Sequence, residues 1–157
     1  MERKTGSITV VGLGPGGREG LSLGAWDALR EARTLLLRTD RHPAAEWLRE
    51  QGIAFETYDG VYASSGRFEE VYERIAEDLL ARAASGDPVT YAVPGHPSVA
   101  ETTVALLRRR CAERGVSLRL VGSESFLERA FAALGFDPAD GVTLTDATAF
   151  HPERLNP

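Results

Sequence analysis

The 157-residue chain has one cysteine, Cys111, so an internal disulfide is excluded. That residue lies in an arginine-rich helical stretch and reads as a reduced residue of the core or its boundary, which fits a cytoplasmic protein. Lysine is almost missing: Lys4 is the only one, and arginine carries nearly all the basic charge. The formal net charge of −5 lacks the basic excess that non-specific nucleic-acid binding needs to displace counterions. No apolar run approaches the ~20 residues that span a bilayer, and Met1-Glu2-Arg3-Lys4 leads into no signal-peptide core, so no membrane partner is expected. No Gly-Lys-Ser or Gly-Lys-Thr occurs, which removes the ATPase phosphate loop. His42, His96 and His151 do not share metal-ligand spacing, and no metal site is expected. There is no internal repeat and no low-complexity linker.

What remains is an ordinary globular composition, 43% apolar and 26% charged. The length suits one large domain or one and a fraction. Short apolar runs alternate with helical periodicity. Strands are expected at Ile8–Gly12, Thr34–Leu37, Ile53–Tyr58, Pro88–Val93, Leu118–Val121 and Val142–Thr145, the third more polar and nearer an edge. Ser22 caps a helix from Leu23 to Ala32, and Pro43 opens a short one ended by Gly52. Phe68, Val71, Tyr72, Ile75, Ala76, Leu79, Leu80 and Ala83 form the clearest helical stripe, stopped at Gly86. Ser98 with Glu101, and Ser125 with Glu128, have the spacing of capping boxes that open two further helices. Gly115 and Gly135 end them. Asp87-Pro88 and Asp137-Pro138 read as turns, Tyr58–Arg67 as the longest loop, and Arg108, Arg109, Arg110 and Arg114 as a solvated helix face. The pattern predicts an α/β fold with a mostly parallel sheet and helices on both faces.

Three strand-to-helix loops stand out: Gly12-Leu13-Gly14-Pro15-Gly16-Gly17, Pro94-Gly95-His96-Pro97-Ser98 and Gly122-Ser123-Glu124-Ser125. In a parallel sheet they share the carboxyl edge, where open α/β sheets bind ligands. Gly12, Gly14 and Gly17 also satisfy G-x-G-x-x-G, which raises an oxidoreductase using NAD(P) as one alternative. That fingerprint needs its helix to begin within the glycine run, whereas Pro15 interrupts the run and the helix signal starts at Ser22.

The three loops in order resemble the signature loops of the tetrapyrrole methylase family, and the resemblance covers essentially the whole chain. It is nearest to the branch often fused to a MazG-type nucleoside triphosphate pyrophosphohydrolase. The residues that carry this are Leu36-Leu37-Arg38-Thr39 followed by His42-Pro43, and Ser125-Phe126-Leu127. The resemblance implies a methyltransferase that binds S-adenosylmethionine (SAM), or S-adenosylhomocysteine as product, between two α/β domains. Gly14, Pro15, Gly16, Pro94, Gly95, His96, Val99, Glu124, Ser125 and Phe126 would line the cofactor; no catalytic residue is named.

Two positions differ from porphyrin-modifying members. Gly95-His96-Pro97 replaces Gly-Asp-Pro, and Arg38 stands near a family acidic residue, with Asp40 displaced. Because family members are longer, residues 1–121 are expected to form the N-terminal domain and 122–157 the truncated start of a second. Expected partners are a small methyl acceptor, by the resemblance a tetrapyrrole in kind, a second copy in a homodimer, and a fused or associated pyrophosphohydrolase. The acid-rich metal motifs of the latter activity are not evident in this chain. A non-catalytic regulatory module attached to such an enzyme is the other alternative.

Overall fold

The computed structural model describes residues 6–146. The chain divides into two compact units, residues 1–126 and 127–157. In the first, five strands form one sheet: β1 (Ser7–Gly12), β2 (Thr34–Leu37), β3 (Glu56–Thr57), β4 (Pro88–Val93) and β5 (Ser117–Val121). Their order is β3-β2-β4-β1-β5, and every pairing is parallel. The helices of the chain are α1 (Leu23–Arg30), α2 (Pro43–Glu50), α3 (Asp59–Ser64), α4 (Phe68–Ala84), α5 (Thr102–Arg114) and α6 (Phe126–Leu134).

Alternation along the strands splits the core into two layers. Ile8, Val10, Leu36, Val89, Tyr91 and Val93 face α4 and α5. Val11, Leu13, Leu35, Leu37 and Ala92 face α1 and α2. Burial on both sides is why the strands read as continuous apolar runs. On α4, Val71, Ile75, Leu79 and Leu80 are all buried, each worth ~1.5–3 kcal/mol of apolar transfer. Ser22 caps α1, its hydroxyl accepting from the Ala25 N–H at 3.0 Å. Arg110 and Arg114 are not the purely solvated face expected of α5; they pair with Glu73 and Glu77 of α4.

The chain leaves β1 toward α1 on one face and leaves the adjacent β4 toward α5 on the other. The loops after these two strands stay joined as far as Gly14 and Gly95 and part beyond them, which opens a crevice at the carboxyl edge.

Four local expectations change. The third strand shrinks to two edge residues. The segment read as a loop at Tyr58–Arg67 holds α3, six residues whose Val61 and Tyr62 lean on the α4-side core. Helix α5 starts at Thr102, after Ser98 has gone by, and Glu101 at its N-cap makes no side-chain cap. Among the described residues Val142–Thr145 is not a strand. The tail from Ala147 to Pro157, His151 included, lies outside the described residues, as does Lys4.

The second unit contains the body of α6, ended by Gly135 in the left-handed region at φ 64°, and a short 3-10 turn at Pro138–Asp140 capped by the Asp137 carboxylate. Its Leu134, Val142 and Leu144 side chains are exposed.

Candidate functional site

The three glycine loops meet at one edge of the sheet, and backbone bonds clamp them. The Gly14 N–H donates to the Gly95 carbonyl at 3.1 Å, and the Gly95 N–H donates back to the Gly14 carbonyl at 2.7 Å. A Cβ on Gly12 would lie 2.4 Å from the Gly95 carbonyl oxygen, so this approach requires glycine. The third loop is stitched to the first. Ser123 Oγ donates to the Gly12 carbonyl at 2.7 Å, Ser22 Oγ donates to the Gly122 carbonyl at 2.6 Å, and the Glu124 N–H donates to the Gly20 carbonyl at 3.1 Å. The His96 ring fills the space that a Gly122 side chain would take.

Between these loops lies a cleft of about 300 Å³. Of the residues singled out from sequence, Pro15, Pro94, Gly95, His96, Val99, Ser125 and Phe126 line it. Gly14, Gly16 and Glu124 do not: Gly14 forms the bridge to Gly95, Glu124 ties the third loop to Gly20, and Gly16 lies on the first loop away from the lining. Gly95 has φ 66°, and a Cβ built there meets no protein atom within 4 Å. Its backbone is therefore bare toward open space. Ser125 is buried and Phe126 half exposed. Ala100, also on the lining, has φ 55° and is the one non-glycine residue with positive φ among those described. Such strain in a binding loop persists only where the surroundings over-determine it.

Three further side chains on this lining are not among those expected to line the cofactor: Arg38, His42 and Glu101. His42 begins α2, with Nδ1 accepting from the Ala44 N–H at 3.2 Å and Nε2 lying 3.0 Å from the Gly14 carbonyl. Those partners assign the neutral tautomer with its proton on Nε2. Burial lowers the pKa of His42, and the Gly14 bond only partly offsets it.

Glu101 is the residue that had been read as half of a capping box. Its side chain is 5% exposed and accepts from Arg38 Nη1 at 2.6 Å, while Arg38 Nε donates to the Tyr62 hydroxyl at 2.8 Å. Burial pushes the Glu101 carboxyl above the usual carboxylate range against the pull of Arg38. Burial also works against the Arg38 charge, but Glu101 and Tyr62 more than compensate and keep it protonated.

Arg38 and Pro94 also border a second, larger cavity of about 550 Å³, with Thr39, Arg41, Asp59 and Tyr62 on its walls. Asp59 is committed to structure there. It accepts from Thr39 Oγ1 at 2.6 Å and from the Asp40 N–H at 2.9 Å. Burial alone would raise its pKa, but these bonds outweigh that and hold it below the ordinary value.

A sequence profile described as Tetrapyrrole (Corrin/Porphyrin) Methylases matches residues 7–156. The chain belongs to this family. A curated relative, the uncharacterized protein YabN of Bacillus subtilis (strain 168), is 42% identical over 150 residues, covering 96% of this chain and 30% of its own length. Among solved structures, a uroporphyrin-III-C-methyltransferase from Thermus thermophilus superposes with a TM-score of 0.63 at 27% identity, covering 85% of this chain and 54% of that one. A diphthine synthase gives 0.66 at 22% identity, covering 84% and 50%, a likeness of fold. The chain thus spans under a third of the curated relative and about half of each solved neighbour. Among the described residues there is no cluster of three or more potential metal ligands and no helix long and apolar enough to cross a membrane.

Proposed function

We propose that this chain is the cofactor-binding part of a SAM-dependent methyltransferase, with SAM or S-adenosylhomocysteine in the cleft lined by Pro15, Pro94, Gly95, His96, Val99, Ser125 and Phe126. The observation that carries this reading is the Gly14–Gly95 bridge, which leaves bare Gly95 backbone facing open space. The donor set fits the ligand. Main-chain groups suit an amino-acid end, and flat rings suit a nucleoside. When bound, SAM supplies an electrophilic methyl group on a positively charged sulfur. The chain's task is orientation, worth up to roughly 7–11 kcal/mol of a barrier when the reacting atoms are held in line.

The methyl acceptor, a tetrapyrrole or a smaller molecule, belongs on this reading in the larger cavity. Residues 1–157 would bind cofactor while transfer needs the further half that the solved neighbours possess. The length of the Bacillus relative supports attachment to further domains, among which we place a MazG-type pyrophosphohydrolase. We also assign the chain to the cytoplasm and to a homodimer, supported by the exposed Leu134, Val142 and Leu144. Light scattering that reports a monomer at high concentration would count against the dimer.

Calorimetric titration with SAM, S-adenosylhomocysteine and NAD tests the cofactor. SAM and its product should bind and NAD should not. Gly95→Val, checked for folding by circular dichroism, should weaken SAM binding at least tenfold, about 1.4 kcal/mol. Binding of NAD alone, or unchanged SAM affinity in the folded variant, would overturn the reading.

A further inference from the structure

The larger cavity has chemistry of its own. Two arginines reach it, Arg38 and Arg41, and its one carboxylate, Asp59, is already bonded by Thr39 and the Asp40 backbone. Arg41 makes no ion pair within 4 Å among the described residues, though its charge helps to hold Asp59 ionised. Arg38 is engaged twice, but its hold on Glu101 is one bond: Nη1 meets one Glu101 oxygen, and Nε is given to Tyr62. A carboxylate held by one bond is short of the two-pronged pairing that makes arginine–carboxylate contacts strong. Arg38 is also the charged side chain common to both cavities, 27% exposed, whereas Glu101 behind it is 5% exposed and lines only the smaller. The guanidinium therefore stands between an internal carboxylate and open space of ligand size.

With Arg38, Arg41, Glu101 and Asp59 all ionised, the charges around the cavity cancel. An incoming monoanion leaves one negative charge in excess, and Glu101 is the group able to absorb it by protonation. Of the other ionisable groups around Glu101, Tyr62 on α3 and Tyr91 on β4 are phenols whose pKa values burial raises, and His42 and His96 share its cleft lining. The Tyr91 hydroxyl, fully buried, meets no partner in hydrogen-bonding geometry among the described residues.

We propose that the larger cavity is a carboxylate-binding site in which the Arg38 guanidinium passes from Glu101 to the ligand, and Glu101 takes up a proton in exchange. A carboxylate is favoured over a phosphate for two reasons. Arg38 already holds a carboxylate oxygen at 2.6 Å, so the ligand group replaces its like. One proton on Glu101 offsets one negative charge, and a phosphate dianion would need two. As far as the ligand is the methyl acceptor, this inference rests on the methyl-transfer reading; the exchange itself does not. The exchange also leaves Glu101, on the cofactor side, protonated only while the ligand is bound.

The test uses benzoate as probe, with benzamide as its neutral counterpart and inorganic phosphate as the other oxyanion. Calorimetry is run on the whole chain without SAM, near pH 7, in two buffers of different ionisation enthalpy. The wild-type protein should bind benzoate with uptake of up to one proton and should not bind benzamide. Glu101→Gln removes the competing anion, so it should bind benzoate at least tenfold more tightly and with no proton uptake. The same variant separates Glu101 from His42 and His96, which line the neighbouring cleft. Arg38→Gln should abolish binding, and Glu101→Gln carries the test if that variant does not fold. Benzoate binding without proton uptake, equal affinity in Glu101→Gln, phosphate bound more tightly than benzoate, or no benzoate binding at all would each overturn the proposal. A failed SAM titration beside a positive benzoate result would remove the methyl-transfer reading and leave the exchange standing.

Discussion

The two cavities at the carboxyl edge share Arg38 and Pro94 but are made of different material. The smaller is shaped by main chain. Its loops are joined by reciprocal N–H to carbonyl bonds between Gly14 and Gly95, and glycine is required where they touch. The larger is shaped mainly by side chains from the segment after β2 and from α3, with Arg38 bonded to Tyr62 on its wall and to Glu101 behind it. A backbone site has one geometry and keeps it, which suits a ligand that is always the same. A side-chain site can exchange partners and charge, which suits a variable one. Within one sheet edge, the fold has separated a fixed half from an adjustable half.

That contrast breaks first at Gly14. With φ at 75° and the Gly20 carbonyl oxygen 2.6 Å from a would-be Cβ, Gly14→Val meets both left-handed strain and a backbone clash. The expected loss is about 3 kcal/mol in chemical denaturation, combining the penalties of strain and overpacking. A stable Gly14→Val protein would mean that the smaller cleft is not held by main chain after all.

The adjustable half should respond less, and with a pH dependence. Arg38→Met leaves Glu101 buried beside no cation, which should cost about 2 kcal/mol near pH 8. Because the folded-state pKa of Glu101 already lies above its unfolded value and would rise further, the loss should shrink as the pH is lowered and the carboxyl protonates. Adding Glu101→Leu should restore most of the stability. Equal losses at pH 5 and pH 8 would show that the pair is not the source.

The smallest effect sharpens the boundary between the halves. His42 is a side chain serving the backbone site, through its bond to the Gly14 carbonyl. Its folded-state pKa is lowered by burial, so its stabilisation is complete above about pH 6.5, the unfolded value, and is lost as pH falls below that. His42→Asn keeps a helix cap but cannot titrate. The stability gap between the wild type and this variant should narrow from pH 7.5 to pH 5 in thermal melts. A constant gap would remove His42 as a titrating support.

The fixed half was legible in the sequence because its signals are local. Gly14, Gly95 and Gly122 stand directly after apolar strands, and Ser22 marks the start of α1 at the residue that caps it. The adjustable half was hidden for the opposite reason. Ser98 and Glu101 have capping-box spacing, yet the left-handed Ala100 turns the chain and frees Glu101 to pair with Arg38, distant in sequence. Helix α3 is too short, and interrupted by Gly60, for any apolar period to form. One usable signal was present: Arg38, a charge set directly after the three leucines that end β2, where a buried strand would not tolerate it unpaired.

The position of β1 has a consequence during synthesis. It leaves the ribosome before the other four strands of its sheet, yet it lies between β4 and β5, with Ser7 in register with Pro88 and Ser117. The nascent chain therefore displays Ile8, Val10 and Val11 with both hydrogen-bonding edges bare until β4 and β5 have been made. Parallel strands so far apart close slowly. In the interval the exposed strand is a surface for chaperones or for aggregation.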